Sequence, residues 1–197
     1  MKNKIIVLFL FFVVGPLAAQ SKTNLEQILG LINKSVVKID SAVHSTKVAA
    51  VTVTSSPNLE ILKPKVLEKF SGNGYQLKLE SSAGDVKVFY TILNCGVEYS
   101  DIRKNGLFGS TIMDRNVTLK GSSIITLSDG SIKPVEINEN VKDVINVDDV
   151  KMIEDASLPF TQAQIPQIPF FSNLLEPIIV VGTLVATVIL LFTIRSK

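Results

Sequence analysis

Two charge-free apolar runs, Ile5–Val14 and Ile178–Ile194, bracket this chain and confine any folded domain to the residues between them. The second run contains no charge, proline or asparagine. As a helix rising about 1.5 Å per residue it reaches roughly 25 Å, a little under the ~30 Å hydrocarbon core of a bilayer. Leu174 and Leu175 can lengthen it by a turn, with Glu176 and Pro177 in the interface. A core helix of a small soluble domain needs a polar face, and this run has none. It reads as one transmembrane helix over 178–194, with a buried core helix as the plainer alternative. Gly182 and Ala186, four apart beside Thr183 and Thr187, form a small-residue stripe. They are the candidate helix-pairing residues for a homodimer through this helix, although small residues are common in any spanning helix.

The first run belongs to a stretch with the three parts of a secretory signal over 1–20. Lys2 and Lys4 precede the apolar residues, and Gly15, Pro16, Ala18 and Ala19 follow them. Leu17 makes the cleavage site imperfect, so an uncleaved anchor is the alternative. Lys2 and Lys4 flank one run and Arg195 and Lys197 the other, which by the positive-inside rule keeps both ends in the cytoplasm. The expected location is the inner membrane, with the bulk of the chain periplasmic and a cytoplasmic tail at 195–197. Leu158-Pro159-Phe160-Thr161-Gln162 resembles a sortase signal with Gln where that signal has Gly. Leu175-Glu176-Pro177 resembles an exosortase tail lacking its first proline. A permanent anchor fits better than either.

The formal charge of +2 misleads about partners. Four of the 20 Lys and Arg residues sit at the two ends, leaving sixteen against 18 acids over the rest of the chain. That balance is no nucleic-acid footprint. Cys95 is the one cysteine, so the domain has no internal disulfide. With the short, Lys-rich start, this points to a bacterial envelope protein. The sequons at Asn33 and Asn116 matter only in a eukaryotic secretory pathway. Residues 21–156 are enough for one domain with its own core.

Thr23-Asn24-Leu25-Glu26 fits a capping box, and apolar residues from Leu25 to Val43 recur at helical spacing, predicting a helix from about 24 to 40. "KVAAVTVTSS" (47–56) reads as a central strand. Ser56-Pro57 opens a second helix that runs to Phe70 and is broken or kinked at Pro64. "YQLKLE" (75–80) alternates as a half-buried strand, and a long strand follows from Val86 with a bulge expected at Gly96. Residues 111–120 and 123–127 read as two further strands. Asp129-Gly130 reads as a two-residue hairpin turn into an edge strand holding Pro134. "VDDVKMIED" (147–155) reads as a short helix, and 157–177, without charge as far as Asn173 and with Pro159, Pro166 and Pro169, as a stalk. The fold class predicted is α+β: a mainly antiparallel sheet with two to three helices, plus the C-terminal transmembrane helix.

The strand–helix–strand–strand order over 47–100, with "GYQL" at 74–77 and "VFYTILNCGVEYS" at 88–100, resembles periplasmic domains of the curli-assembly and penicillin-binding-protein-activator type. That resemblance implies an extracytoplasmic α+β domain and carries over no functional residue. Those domains are typically lipid-anchored through an N-terminal cysteine, which this sequence lacks.

No catalytic, cofactor-binding or metal-ligating residue stands out. His44 lies near Asp40, Ser41 and Ser45, without the strained nucleophile turn of a hydrolase, and reads as a solvated surface residue. One His and one Cys do not make a zinc site. Residues 136–155 hold seven acids, but their spacing matches no EF-hand, and a solvated acidic face is the simpler account. "NGLFGS" (105–110) lacks the Lys-Ser/Thr ending of a phosphate loop. Phe108 within it is the candidate partner-binding residue. The function expected is a non-enzymatic interaction or scaffold domain of the bacterial cell envelope, whose partner is another envelope protein. The alternative is an enzyme or enzyme regulator acting on cell-wall or lipid substrates. Two carboxylates of raised pKa in a cleft would favour that alternative.

Overall fold

The computed structural model describes residues 21–43, 47–80, 82, 85–106, 109–167 and 175–195, with side chains in the last stretch described over 177–193. The elements are α1 (Asn24–Val43), β1 (Val48–Ser55), α2 (Leu62–Gly72), β2 (Gln76–Lys78), β3 (Val86–Lys104), β4 (Thr111–Thr126), β5 (Ile132–Asn146), α3 (Val150–Ile153) and α4 (Leu175–Arg195). Short 3-10 turns at Pro57–Leu59, Val147–Asp149 and Pro159–Thr161 join them. The five strands form one sheet in the order β2-β1-β3-β4-β5. β1 runs parallel to both β2 and β3, whereas β3, β4 and β5 form an antiparallel meander.

Local chemistry starts α1 as its sequence directs. The Thr23 hydroxyl accepts from the Glu26 amide at 3.1 Å, and the Thr23 amide donates to the Glu26 carboxylate at 2.8 Å. Both orphan amides of the first turn are thus satisfied. Ile28, Leu31, Ile32, Val36 and Ile39 lie on the buried face of α1. They pack with Leu62, Val66 and Phe70 of α2 on Val86, Val88, Tyr90, Ile92, Val117, Leu119 and Ile125 of the sheet. Period-2 alternation on β3 and β4 sends these side chains to one face, so both helices lie on that face and the opposite face is open.

Pro64 lies in the first turn of α2, where its missing N–H has no intrahelical partner to lose. The Pro57–Leu59 turn, not a kinked helix, absorbs the start of that segment. Residues 111–127, expected as two strands, form the single strand β4. The register of β3 shifts between Ile92 and Asn94 and again between Ser100 and Arg103, not at Gly96; the first shift leaves Leu93 unpaired. Opposite it sits Gly121, where an added Cβ would lie 2.2 Å from the Thr91 carbonyl oxygen. Only glycine admits that approach.

The β4–β5 turn has three residues. Leu127 and Ser131 close it by a hydrogen bond of 2.9 Å, and the Gly130 amide donates to the Leu127 carbonyl at 2.9 Å. Gly130 has φ +81, the left-handed position that ends such a loop. Sequence locates this turn and miscounts its length. Gly130→Val should cost on the order of 1 kcal/mol, since a β-branched residue is strained at that φ although an added Cβ meets nothing within 4 Å. A urea-unfolding midpoint equal to that of the parent would refute this.

Three expectations need correction. The sheet is mixed: the β1–α2–β2 crossover produces parallel pairing on one side, which hairpin-based reading omits. Among the described residues there are four α-helices, counting the one-turn α3. The third correction is the transmembrane helix. Among the described residues no helix is long and apolar enough to cross a membrane. The apolar side chains described on α4 are exposed on every face of the helix. The proposed signal at 1–20 and the tail residues 196–197 lie outside the described residues.

The segment expected to begin a stalk at 157 instead enters the core. Phe160 is 6% exposed within the main cluster, Leu158 packs against that cluster, and Ala163 packs against a second one. That second cluster gathers Tyr99, Met113, Ile145, Val150 and Ile153 at the far end of the sheet.

Candidate functional site

The two apolar clusters meet along β4, and a charged residue occupies the seam. Met113 belongs to the second cluster and Val117 to the first; Arg115 lies between them with the same inward parity and is fully buried. A guanidinium there must have all its donors satisfied. Its Nε donates to Asp143 Oδ1 at 2.8 Å and Nη2 to Asp143 Oδ2 at 2.5 Å, a bidentate fork across the β4–β5 pair. Nη1 donates to the Lys22 carbonyl at 2.7 Å and to Asn24 Oδ1 at 2.8 Å. Asn24, buried at the start of α1, donates through Nδ2 to the Tyr99 hydroxyl at 2.8 Å and the Thr161 carbonyl at 2.7 Å. Gln27 adds a bond to Asp143 at 3.1 Å. One network therefore ties the start of α1, three strands and the segment after α3. Burial, and a hydrogen bond that the phenol donates to Glu154, push Tyr99 up to about 12, against an opposing bond from Asn24. Four of the five guanidinium N–H donors are thus held by protein partners, and the arrangement fixes positions.

The remaining perturbed groups are also held by structure. Burial raises Asp40, but Lys47 and the Tyr75 hydroxyl, which donates to it at 2.7 Å, hold its carboxyl below the usual range. Tyr90, pushed up to about 12 mainly by burial, shares a 2.7 Å bond with the Ser35 hydroxyl. Burial alone pushes the Cys95 thiol up to about 12, the state of an inert core cysteine. Among the described residues, Asp40, Glu68, Asp85, Asp129 and Asp155 are the carboxylates with a resolved shift, and all lie lower than usual. A general acid needs the opposite shift.

The open face of the sheet has a different character. Register places Thr52, Phe89, Ile124 and Pro134 in one row across β1, β3, β4 and β5. Phe89 and Ile124 are each 49% exposed; Leu93, at the bulge, and Ile132, next to Pro134 on the same face, are each 66% exposed. Beyond the bulge that face turns polar, with rows Asn94–Lys120–Asn138, Gly96–Thr118–Asn140 and Glu98–Asn116–Lys142. It is thus an apolar patch at one end of a hydrophilic ladder.

Phe108, the partner-binding candidate, and His44 lie outside the described residues. Gly182 and Ala186 are on α4, where an added Cβ at Gly182 meets nothing within 4 Å. The acidic run is dispersed by the fold. Asp143 faces Arg115, Glu154 accepts from the Ala163 amide, and Asp155 caps Ser157. Among the described residues no group of three His, Cys, Asp or Glu is placed to hold a metal ion. Sequence reasoning missed Arg115 and the Phe89–Ile124 row. The signal for Arg115 was its place on the inward parity of β4; that for Phe89 was its place opposite Tyr90 on an alternating strand.

No family model and no curated protein matches this chain. The resemblance to curli-assembly and penicillin-binding-protein-activator domains therefore stays one of layout. Among solved structures, the chain is similar to the rare lipoprotein B from Shewanella oneidensis, at 11% sequence identity and a TM-score of 0.31. That match covers 75% of this chain and 94% of the other. A likeness at this level carries no argument about what the chain does.

Proposed function

We propose that this chain is a non-enzymatic interaction domain of the bacterial cell envelope, and that it holds another envelope protein against the open face of its sheet. The observation that carries the reading is the exposed apolar row of Phe89 and Ile124 with Leu93 and Ile132, on a face that no described helix covers. Large apolar side chains grouped on a rigid surface are the usual mark of a contact surface. The secretory pattern at 1–20 and the lone cysteine support the envelope compartment. Carboxylates held low, and an Arg115 network closed on itself, favour binding over hydrolysis.

A photo-cross-linking residue at position 89 or 124 should capture one envelope protein in living cells. The same residue at Val37 or Met152, exposed on other surfaces, should not. Phe89→Asp should abolish the adduct from position 124 while stability stays within about 0.5 kcal/mol, as for an ordinary surface change. Equal adducts from Val37, or an adduct indifferent to Phe89→Asp, would overturn the reading.

A further inference from the structure

We propose that the free edge of β5 is the seam of a two-fold dimer, in which β5 pairs antiparallel with β5 of a second copy about Glu139. This rests on the edge, independently of the open-face reading. The two edges of the sheet are unlike: β2 offers only Gln76–Lys78, whereas β5 runs from Ile132 to Asn146. A long edge is a template for another strand.

Register shows which groups are free to pair. The Leu127 amide bonds the Ser131 carbonyl, and β4–β5 pairing then continues without a shift to Asn146. Antiparallel hydrogen bonding alternates, so odd-numbered residues of β5 bond β4 and even-numbered ones turn N–H and C=O outward. Two features agree. Pro134, which lacks an N–H, holds an even position, and Lys38 Nζ reaches the Glu136 carbonyl from outside at 2.8 Å.

A two-fold pairing sets outward residues opposite outward residues, so the axis passes through a residue. With the axis at Glu139, Glu136 faces Lys142, Asn138 faces Asn140, Pro134 faces Val144 and Ile137 faces Val141, each pair occurring twice. Glu136 and Lys142 are both exposed on the open face, and opposite charges directly across two strands are stabilising. Val144, exposed in the single chain, extends the Phe89–Ile124–Pro134 row across the seam. Moving the axis by one residue sets Glu136 against Asn140 or Val144 and loses the charge pairs. Lys38 yields the Glu136 carbonyl to the Lys142 amide, and the two Glu139 side chains meet as like charges on the axis.

The test uses the full chain. Residue 139 forms a non-hydrogen-bonded pair with itself, whose Cα atoms lie about 4.5 Å apart, within disulfide range. Glu139→Cys should oxidise rapidly to a disulfide-linked pair of chains, whereas Val135→Cys, which faces Asp143, should not. With the native sequence, sedimentation should give the mass of two chains. Glu136→Lys or Lys142→Glu should weaken association about tenfold, through two charge pairs, and the double reversal should restore it. Glu139→Gln should tighten association about two- to fivefold by removing the axial repulsion. A single-chain mass, equal oxidation at 135 and 139, or indifference to charge reversal overturns the proposal. Association through α4 would be blind to the reversals and counts against it.

Discussion

Asp143→Ala should destabilise the domain by about 3–5 kcal/mol, more than Arg115→Met at the other end of the same pair. The asymmetry follows from burial: the Arg115 side chain is 0% exposed and that of Asp143 33%. Without Asp143, Arg115 keeps the Lys22 carbonyl and Asn24 through Nη1, but Nε and Nη2 lose their partners inside the protein. An uncompensated buried charge is among the costliest defects a core can carry. Arg115→Met removes the charge and fills the space with an apolar chain flanked by Met113 and Val117. It leaves Asn24 and the Lys22 carbonyl short of a donor, at a cost of about 1–3 kcal/mol, while water can reach the half-exposed Asp143. The double variant should then cost clearly less than the sum of the singles, because removing both partners leaves no orphaned charge. Urea unfolding with unchanged m-values measures all three. Additive effects, or a larger loss from Arg115→Met, would mean that the network is not the closed unit its geometry indicates.

Sequence made most of the helical side of the fold legible, because the signals there are local. The Thr23–Glu26 box and the apolar stripe from Ile28 to Ile39 fix α1 without reference to any other element. The sheet was less legible where its cause is distant. Parallel pairing of β1 with β2 and β3 depends on how α2 crosses over, and no residue in "KVAAVTVTSS" encodes it. The strand holding Pro134 is hard to follow in sequence, because its later outward positions, Asn138, Asn140 and Lys142, look like a loop. What makes them a strand is the run of β4 from Ile112 to Thr126 paired beside them. Gly96 in β3 suggests a bulge at its own position, yet the glycine that lies against the bulge is Gly121, across the strand pair. The apolar run of α4 invites a membrane reading from composition, yet among the described residues no helix is long and apolar enough to cross a membrane. As for the site, Phe108 stands out in the sequence as an aromatic in a loop, while Phe89 lies within an apolar strand. Only the observation that the helices occupy one face separates Phe89 from its buried neighbours Val88 and Tyr90.

Phe160→Ala should cost about 3–5 kcal/mol, and ending the chain at Glu154 should abolish cooperative unfolding altogether. Charge-free, proline-containing sequence without an apolar period looks like a spacer, which is why a chain ending near 156 was expected to keep its core. The structure assigns that stretch a different task. Pro159 starts a 3-10 turn that carries Phe160 into the main cluster near β3 and the Pro57–Leu59 turn, where truncation to Ala leaves a cavity with little scope for collapse. Thr161 beside it is fully buried and polar; its hydroxyl bonds the Asp155 and Leu158 backbone, and its carbonyl accepts from Asn24. Removing the segment therefore takes away an aromatic anchor and also one partner of Asn24, which in turn positions Arg115. The losses converge on one network, so truncation should exceed Phe160→Ala rather than merely repeat it. Chains ending at Glu154 and at Gln167, compared by thermal unfolding, separate the two accounts. Equal, cooperative melting of both would show that residues 158–163 rest on the domain without holding it together.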